Sequence, residues 1–251
     1  MPFTISHAAA VLPLSRTRLP LAALMIGSMT PDFAYFMPWE PDRFATHSVE
    51  GLFWFCWPVG MAVWLLFVHL LEEPTIALLP PNWRAGIRRS DRSWAPRSLL
   101  LASLAVIIGA ITHDLWDAFT HGSSFIVDRF PVFHSVVDIF GARFRLFYFL
   151  QIVSSVVGLA VLAWWALKFR QPRAAEMQAQ ETRIVSNRAR MLALLVMVTA
   201  SALLAIAGFA ANADLIFPRR MFHFAIGGMA GWALAWCGVA IAIRVRPNSA
   251  R

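Results

Sequence analysis

Charged residues are scarce in this chain of 251 residues: only 14% are Asp, Glu, Lys or Arg, whereas 59% are hydrophobic. A soluble domain of this length carries about a quarter charged residues, so the composition excludes an ordinary water-soluble protein. The dominance of apolar and aromatic residues also excludes a disordered tail and a collagen-like fibre. The composition therefore predicts an integral membrane protein.

Cysteine is nearly absent, and so are the common catalytic signatures. The two cysteines, Cys56 and Cys237, both lie inside apolar runs, which excludes a disulfide scaffold and predicts packing roles. The chain has no CxxC pair, phosphate loop, nucleophile elbow or dinucleotide fingerprint. Any activity must therefore depend on other polar residues.

Five apolar stretches are long enough to cross a hydrocarbon core, which requires about 20 helical residues. They are Gly51–Leu71, Leu99–Thr120, Leu146–Leu167, Met191–Ala210 and Met221–Ile243. The sequence predicts an all-α, polytopic membrane bundle with five to six transmembrane helices.

The N-terminal segment allows two interpretations. Leu19–Met37 is long enough to form a sixth span. Alternatively, Ser6–Leu14 and Pro20–Met29 form a short helical hairpin, with Pro20 at the start of the second helix. In one straight helix His7 and Asp32 would be about 37 Å apart, whereas a hairpin brings them together.

The basic residues, which give a net charge of +8, predict the orientation. In alternating connections, fourteen fall on the side of the C-terminus and six on the opposite side. By the positive-inside rule the C-terminus is cytoplasmic, which predicts a multi-pass protein of the bacterial inner membrane. The excess positive charge is then explained by the orientation and by contact with membrane lipids, so no nucleic acid partner is expected.

The chain is predicted to have two halves. Residues 1–145 form a half that carries a metal site, and residues 146–251 form a three-helix half joined through a polar cytoplasmic segment at 168–190. In the last helix, Gly227 and Gly231 form a GxxxG motif, which predicts a homo-oligomer through this helix.

The second span ends in the sequence HDLWDAFTH, which places His113, Asp117 and His121 on one helical face. Ionisable residues at membrane depth indicate a functional site. Imidazole and carboxylate ligands suit Zn²⁺, or Mn²⁺ or Fe²⁺ if more oxygen ligands join. This spacing therefore predicts a metal site.

Further polar residues lie at the edges of apolar elements. His7, Asp32 and His47 precede the first span and complete the predicted ligand set. Asp114, beside the ligand helix, is a candidate base or a group that orients an imidazole. His134, in the outer connection, is a candidate further ligand or general acid.

Several segments resemble the bacterial membrane family DUF4184: MPFTISHAAAVLPL, GSMTPDFAYF, THS at 46–48, EEPTIALLPPNW and HDLWDAFTH. The order of histidines and aspartates is more distantly similar to the YdjM-type membrane-bound metal-dependent hydrolases and to the zinc-dependent phospholipase C and P1 nuclease group. The close resemblance extends to about residue 140.

The resemblance implies a zinc site of one or two ions, whose ligands would be His7, Asp32, His47, His113, Asp117 and His121. It implies a metal-dependent hydrolase, and a site at the membrane edge favours a phospholipid or lipid-linked phosphoester at the outer face. Two alternatives remain open: a membrane di-metal oxidase, and a transporter or assembly subunit with a structural metal site.

Overall fold

The computed structural model describes residues 4–37, 39, 41–84, 87, 89–168 and 185–245. The described chain is predominantly α-helical. Its α-helices are α1 Leu21–Gly27, α2 Arg43–Thr46, α3 Val49–Gly51, α4 Trp57–Leu66, α5 Glu72–Leu78, α6 Pro81–Arg84, α7 Pro96–Thr120, α8 Phe125–Arg129, α9 Leu146–Lys168, α10 Asn187–Ala211 and α11 Phe217–Val245. Three 3₁₀ helices cover Thr4–Arg16, Thr30–Phe36 and Pro131–His134, and two π-helical segments cover Leu52–Cys56 and Phe67–Leu71.

Five helical stretches are long and apolar enough to cross a membrane. They are Val49–Leu78, Pro96–Arg129, Leu146–Lys168, Asn187–Ala211 and Phe217–Val245. Many of their large apolar side chains are exposed, as expected for helices whose solvent is lipid. The predicted all-α polytopic bundle is confirmed.

Two structures are predicted for the N-terminal segment, and the segment forms the hairpin. The 3₁₀ helix Thr4–Arg16 packs against α1, and the Thr4 hydroxyl donates a hydrogen bond of 2.7 Å to the carboxylate of Asp32, just beyond α1. A 3₁₀ helix rises about 2.0 Å per residue, so its thirteen residues span a greater distance than thirteen residues of α-helix would. No sixth long apolar helix is found among the described residues.

Glycines let the hairpin lie directly on α7. A Cβ on Gly27 would come within 2.3 Å of the Val106 carbonyl oxygen, and one on Gly109 would come within 2.3 Å of the Leu24 carbonyl oxygen. Backbone atoms cannot give way as a flexible side chain can. The two glycines therefore fix the distance between α1 and α7. This distance also positions the 3₁₀ helix Thr30–Phe36, which follows α1.

A small apolar core lies beside this contact. It consists of Ala34, Leu52, Phe55, Cys56 and Ala110, all buried. Cys56 is a free thiol inside this core, which agrees with its predicted packing role. The core holds the second 3₁₀ helix and the start of the first apolar stretch against α7.

A two-stranded antiparallel hairpin, β1 Val136–Ile139 and β2 Ala142–Arg145, joins α8 to α9 and was not predicted. Its turn has positive φ at Phe140 and Gly141, as a type I′ hairpin turn requires. Strands of four residues carry too little alternation to be distinguished from a loop.

By their contacts the residues form two compact units, Met1–Trp64 with Ser90–Lys168, and Leu65–Arg89 with Phe169–Arg251. Helix α9 contacts the N-terminal 3₁₀ helix and α7, whereas the sequence groups it with residues 146–251. The division into two halves at 145 stays a prediction. Most of the polar segment predicted at 168–190, residues 169–184, lies outside the described residues.

Within the second unit, the GxxxG motif packs on a neighbouring helix of the same chain. A Cβ on Gly227 would come within 2.2 Å of the Leu204 carbonyl oxygen, and one on Gly231 within 2.4 Å of the Ala200 carbonyl oxygen. Because α10 already covers this face of α11, the two glycines give no support to the homo-oligomer, which stays a prediction.

We expect Gly109→Ala to lower the free energy of unfolding by about 1–3 kcal/mol, because the new methyl group must push α1 away from α7. The matched control is Gly238→Ala, since a Cβ there has no neighbour within 4 Å and Ala is the better helix former. Denaturant unfolding of both purified variants in detergent measures the difference. Equal stability of the two variants would contradict the described packing of the hairpin.

Candidate metal centre

Five of the six predicted ligand side chains meet at one point of the first unit. His7 comes from the N-terminal 3₁₀ helix, Asp32 from the second 3₁₀ helix, and His47 from the residue after α2. His113 and Asp117 come from adjacent turns of α7. Of these side chains, those of His7 and His113 are completely buried and that of Asp32 is 2% exposed.

The imidazole Nε2 atoms face the two carboxylates. His113 Nε2 lies 3.8 Å from Asp32 Oδ1 and 3.5 Å from Asp117 Oδ2. His47 Nε2 lies 3.6 Å and 3.7 Å from the same two oxygens, and His7 Nε2 lies 3.5 Å from Asp117 Oδ1. These distances are too long for hydrogen bonds.

The same distances fit donors arranged around a metal ion. Ligand atoms about 2.1 Å from zinc at tetrahedral angles are about 3.4 Å from one another. Within the described part of the chain, Nε2 of His7, His47 and His113 is buried without a hydrogen-bond partner, and so is Asp117 Oδ1. Buried polar atoms rarely lack partners, so this convergence indicates a ligand set.

Backbone carbonyls orient two of the imidazoles. His113 Nδ1 contacts the Ser28 carbonyl at 2.8 Å, and His47 Nδ1 contacts the Arg43 carbonyl at 3.0 Å. Donation of Nδ1–H to a carbonyl leaves the Nε2 lone pair free, as is usual for metal-binding histidines. Thr4 donates a hydrogen bond to Asp32 Oδ2, and the other oxygen of that carboxylate, Oδ1, faces His47 and His113.

The electrostatics of the two ligands outside the long helices agree with this arrangement. Burial, reinforced by His113, lowers the pKa of His7 to about 3, which keeps its imidazole neutral near pH 7. Burial opposes ionisation of Asp32, but His113, His47 and Thr4 outweigh it and hold the pKa of this carboxyl below its usual value. A neutral imidazole and an ionised carboxylate are the forms that bind metals.

The five side chains form two overlapping triads. One is His7, Asp32 and His113, and the other is His47, His113 and Asp117, with the ligand atoms of each within 4.8 Å of one another. Both triads contain His113, whose Nδ1 is engaged by Ser28. Only Nε2 of His113 therefore remains for a ligand bond, so the two triads share this nitrogen.

His121 lies beside this ligand set, outside both triads. Its Nδ1 lies 3.3 Å from Asp117 Oδ2, and its Nε2 lies 3.2 Å from the amide nitrogen of Gln151. With both ring nitrogens near other partners, the position of His121 favours orienting Asp117 over binding an ion directly. It is the residue after the last turn of α7, where the helical periodicity that predicted a shared face no longer applies.

The two predicted catalytic residues have different surroundings. Asp114 follows His113 and therefore projects about 100° around α7 from it. Its Oδ1 is buried without a hydrogen-bond partner among the described residues. In contrast, His134 lies on the connection between α7 and α9, where its Nε2 is 3.7 Å from Asp128 Oδ1 and its Nδ1 is 3.3 Å from Arg145 Nη1. Both catalytic roles stay predictions.

Sequence reasoning missed Arg43. Its Nη2 donates to Asp117 Oδ2 at 3.2 Å, while its carbonyl accepts from His47. The signal was available in the spacing, because Arg43 precedes His47 by four residues and so shares its helical face. In the sequence, Arg43 counts only as one of the six basic residues on the side opposite the C-terminus.

The comparisons with known proteins identify a family and no relative of known function. No curated protein and no solved structure matches the chain. The similarity to YdjM-type hydrolases, phospholipase C and P1 nuclease therefore stays a prediction. A family model described as a domain of unknown function, DUF4184, matches residues 1–244. The chain belongs to the DUF4184 family.

Proposed function

We propose that this protein is an integral membrane metal-dependent hydrolase that acts on a phospholipid or another lipid-linked phosphoester. The observation that carries the proposal is the convergence of three unpartnered, buried Nε2 atoms on the carboxylates of Asp32 and Asp117. A donor set of three imidazoles and two carboxylates suits Zn²⁺, and Mn²⁺ or Fe²⁺ as harder alternatives.

The donor set supports one ion. The two triads share His113 Nε2, and one nitrogen lone pair binds one metal. His7, Asp32, His47, His113 and Asp117 would hold this ion, with His121 beside Asp117. When bound, Zn²⁺ lowers the pKa of a coordinated water to about 7 and polarises a phosphoryl oxygen.

The residues around the donors divide into a closed and an accessible side. The side chains of His7 and His113 are fully buried, whereas those of His47 and His121 are 11% and 12% exposed. Substrate would therefore approach from the side of His47. The buried side chains of His7, His113 and Asp32 would exclude bulk water from the ion. Asp114 is the candidate to hold a proton, on its unpartnered Oδ1.

The position along α7 suggests a substrate at the membrane edge. His113 is seven residues before the last residue of the helix, Thr120, or about 10 Å along its axis. The distribution of basic residues supports an orientation in which this end of α7 would lie at the outer face of the bacterial inner membrane and the C-terminus in the cytoplasm. An outer-leaflet phosphoester would reach the site without leaving the bilayer.

We expect the purified protein to hold about one zinc, manganese or iron ion per chain, because the two triads share one nitrogen. His113→Ala and Asp32→Asn should lose it, since each removes a buried donor, whereas His223→Ala on α11 should retain it. Elemental analysis of detergent-purified variants, after gel filtration to verify folding, measures the content. A metal-free wild-type chain after loading with zinc would contradict the metal centre.

We expect the metal-loaded protein to hydrolyse a phosphodiester, and a chelator to abolish this activity until zinc is restored. Asp117→Asn should lower kcat/KM at least about 100-fold, because it weakens a donor that four histidines and Arg43 surround. Formation of a phosphomonoester from a phospholipid in nanodiscs, and nitrophenol release from a soluble diester, measure the rate. The proposal fails if chelation leaves the rates unchanged, or if no phosphoester is cleaved by fully loaded protein.

A further inference from the structure

We propose that Arg43 is the anion-binding group of the metal centre: it holds the non-bridging oxygens of a phosphoryl group at the ion and so restricts the site to anionic phosphoesters. This inference rests on the proposed function, since it concerns the substrate of the same site. It assigns a role to a residue that topology alone would treat as one outer arginine among several.

The first observation is where the fold holds Arg43. It is the first residue of α2, and the Asp42 carboxylate caps this helix by accepting from the Phe44 N–H. The Arg43 carbonyl orients His47, and its guanidinium reaches Asp117 at 3.2 Å. Its backbone and its side chain thus each contact a different member of the ligand set, so the position of its charge depends on the geometry of the site.

The second observation is the donor capacity that remains on the guanidinium. Arginine has five N–H donors in a rigid fork, and the Nη2 contact with Asp117 uses one of them. Its Nε is buried without a hydrogen-bond partner among the residues that the structure describes. A buried N–H without a partner is costly, and the fork of Nε and one Nη matches two oxygens of a phosphoryl group.

The third observation is exposure. The Arg43 side chain is 28% exposed, more than that of His47 at 11% or Asp117 at 8%. Arg43 is therefore more accessible than the candidate donors beside it, whereas the side chains of His7 and His113 are fully buried. A group that enters beside Arg43 meets the guanidinium and the ligand set together.

The balance of charge selects the class of substrate. Asp32 and Asp117 together neutralise a divalent ion, and the imidazoles add no charge when they bind it. An ion on Asp117 also competes with Arg43 for the carboxylate and so leaves more of the guanidinium available. Arg43 then gives the loaded donor set one net positive charge, which attracts a phosphate monoester or diester and gives no advantage to a neutral carboxylic ester.

The competing interpretation is that Arg43 only neutralises Asp117. In that case, substitution would change metal affinity or stability and would leave anion affinity unchanged in protein that holds its metal. Lysine distinguishes the interpretations further, because it retains the positive charge and lacks the planar fork.

The direct test measures binding of inorganic phosphate to the zinc-loaded full chain in detergent, by calorimetry, with zinc content measured on the same samples. Arg43→Gln should bind phosphate at least tenfold more weakly with zinc retained, and Arg43→Lys should be intermediate. The control Arg129→Gln, an exposed arginine on α8, should bind as wild type does. Wild-type phosphate affinity in zinc-loaded Arg43→Gln, or no phosphate binding by zinc-loaded wild type, overturns the inference.

If Arg43→Gln does not hold zinc, Arg43→Lys decides the question. At least threefold weaker phosphate binding by zinc-loaded Arg43→Lys supports the role of the fork, and wild-type affinity in this variant overturns it. Nanodiscs that contain phosphatidic acid identify the source of the anion. If these nanodiscs compete with inorganic phosphate, the anion belongs to a lipid headgroup. If phosphate binds without such competition, the anion belongs to a soluble phosphoester. Either result agrees with a phosphoryl group bound by Arg43.

An activity comparison separates this inference from the proposed function. With bis(p-nitrophenyl) phosphate and p-nitrophenyl acetate, Arg43→Gln should raise KM at least tenfold for the anionic substrate only. Equal KM values for the phosphodiester in wild type and variant overturn the role of Arg43 and leave the hydrolase intact. Phosphate binding that depends on Arg43, without hydrolysis of any phosphoester, supports the role of Arg43 and contradicts the hydrolase.

Discussion

Two carboxylates buried among apolar helices are the constraint on which the first unit depends. The side chains of Asp32 and Asp117 are 2% and 8% exposed, and an ionised carboxylate without compensation costs several kcal/mol in such surroundings. His7, His47 and His113 surround them at distances of 3.5 to 3.8 Å, which leave their Nε2 atoms without hydrogen bonds. A divalent cation at this position would satisfy the nitrogens and both charges at once.

The packing of the hairpin is what brings these groups together. Gly27 and Gly109 let α1 approach α7 at backbone distance, so that Ser28 reaches His113 and the chain beyond α1 delivers Asp32. The long 3₁₀ helix returns His7 to the same level, where its ring stacks on His113 with centroids 3.9 Å apart. The candidate metal site therefore depends on the hairpin, because the fold of the N-terminal segment brings candidate ligands that are distant in the sequence close together.

Hydropathy was sufficient to predict the five apolar helices, because the period and length of such helices follow from the bilayer alone. The i, i+4 spacing also predicted that His113 and Asp117 share a face. The convergence of His7, Asp32 and His47 required tertiary packing, which the sequence allowed only as one of two alternatives. His121 shows the limit of periodicity, since it follows the last helical residue and faces Gln151 as well as Asp117.

Arg43 and the β-hairpin were missed for different physical reasons. The predicted membrane orientation already accounts for the positive charge of Arg43. This interpretation did not predict the contact of Arg43 with Asp117. The strands β1 and β2 are too short to give a period.

The proposed metal ion would be held by three imidazoles and two carboxylates. X-ray absorption of the zinc-loaded full chain detects such ligands directly. We predict nitrogen and oxygen ligands at about 2.0–2.2 Å with outer-shell scattering from three imidazoles. A spectrum without imidazole scattering would contradict it.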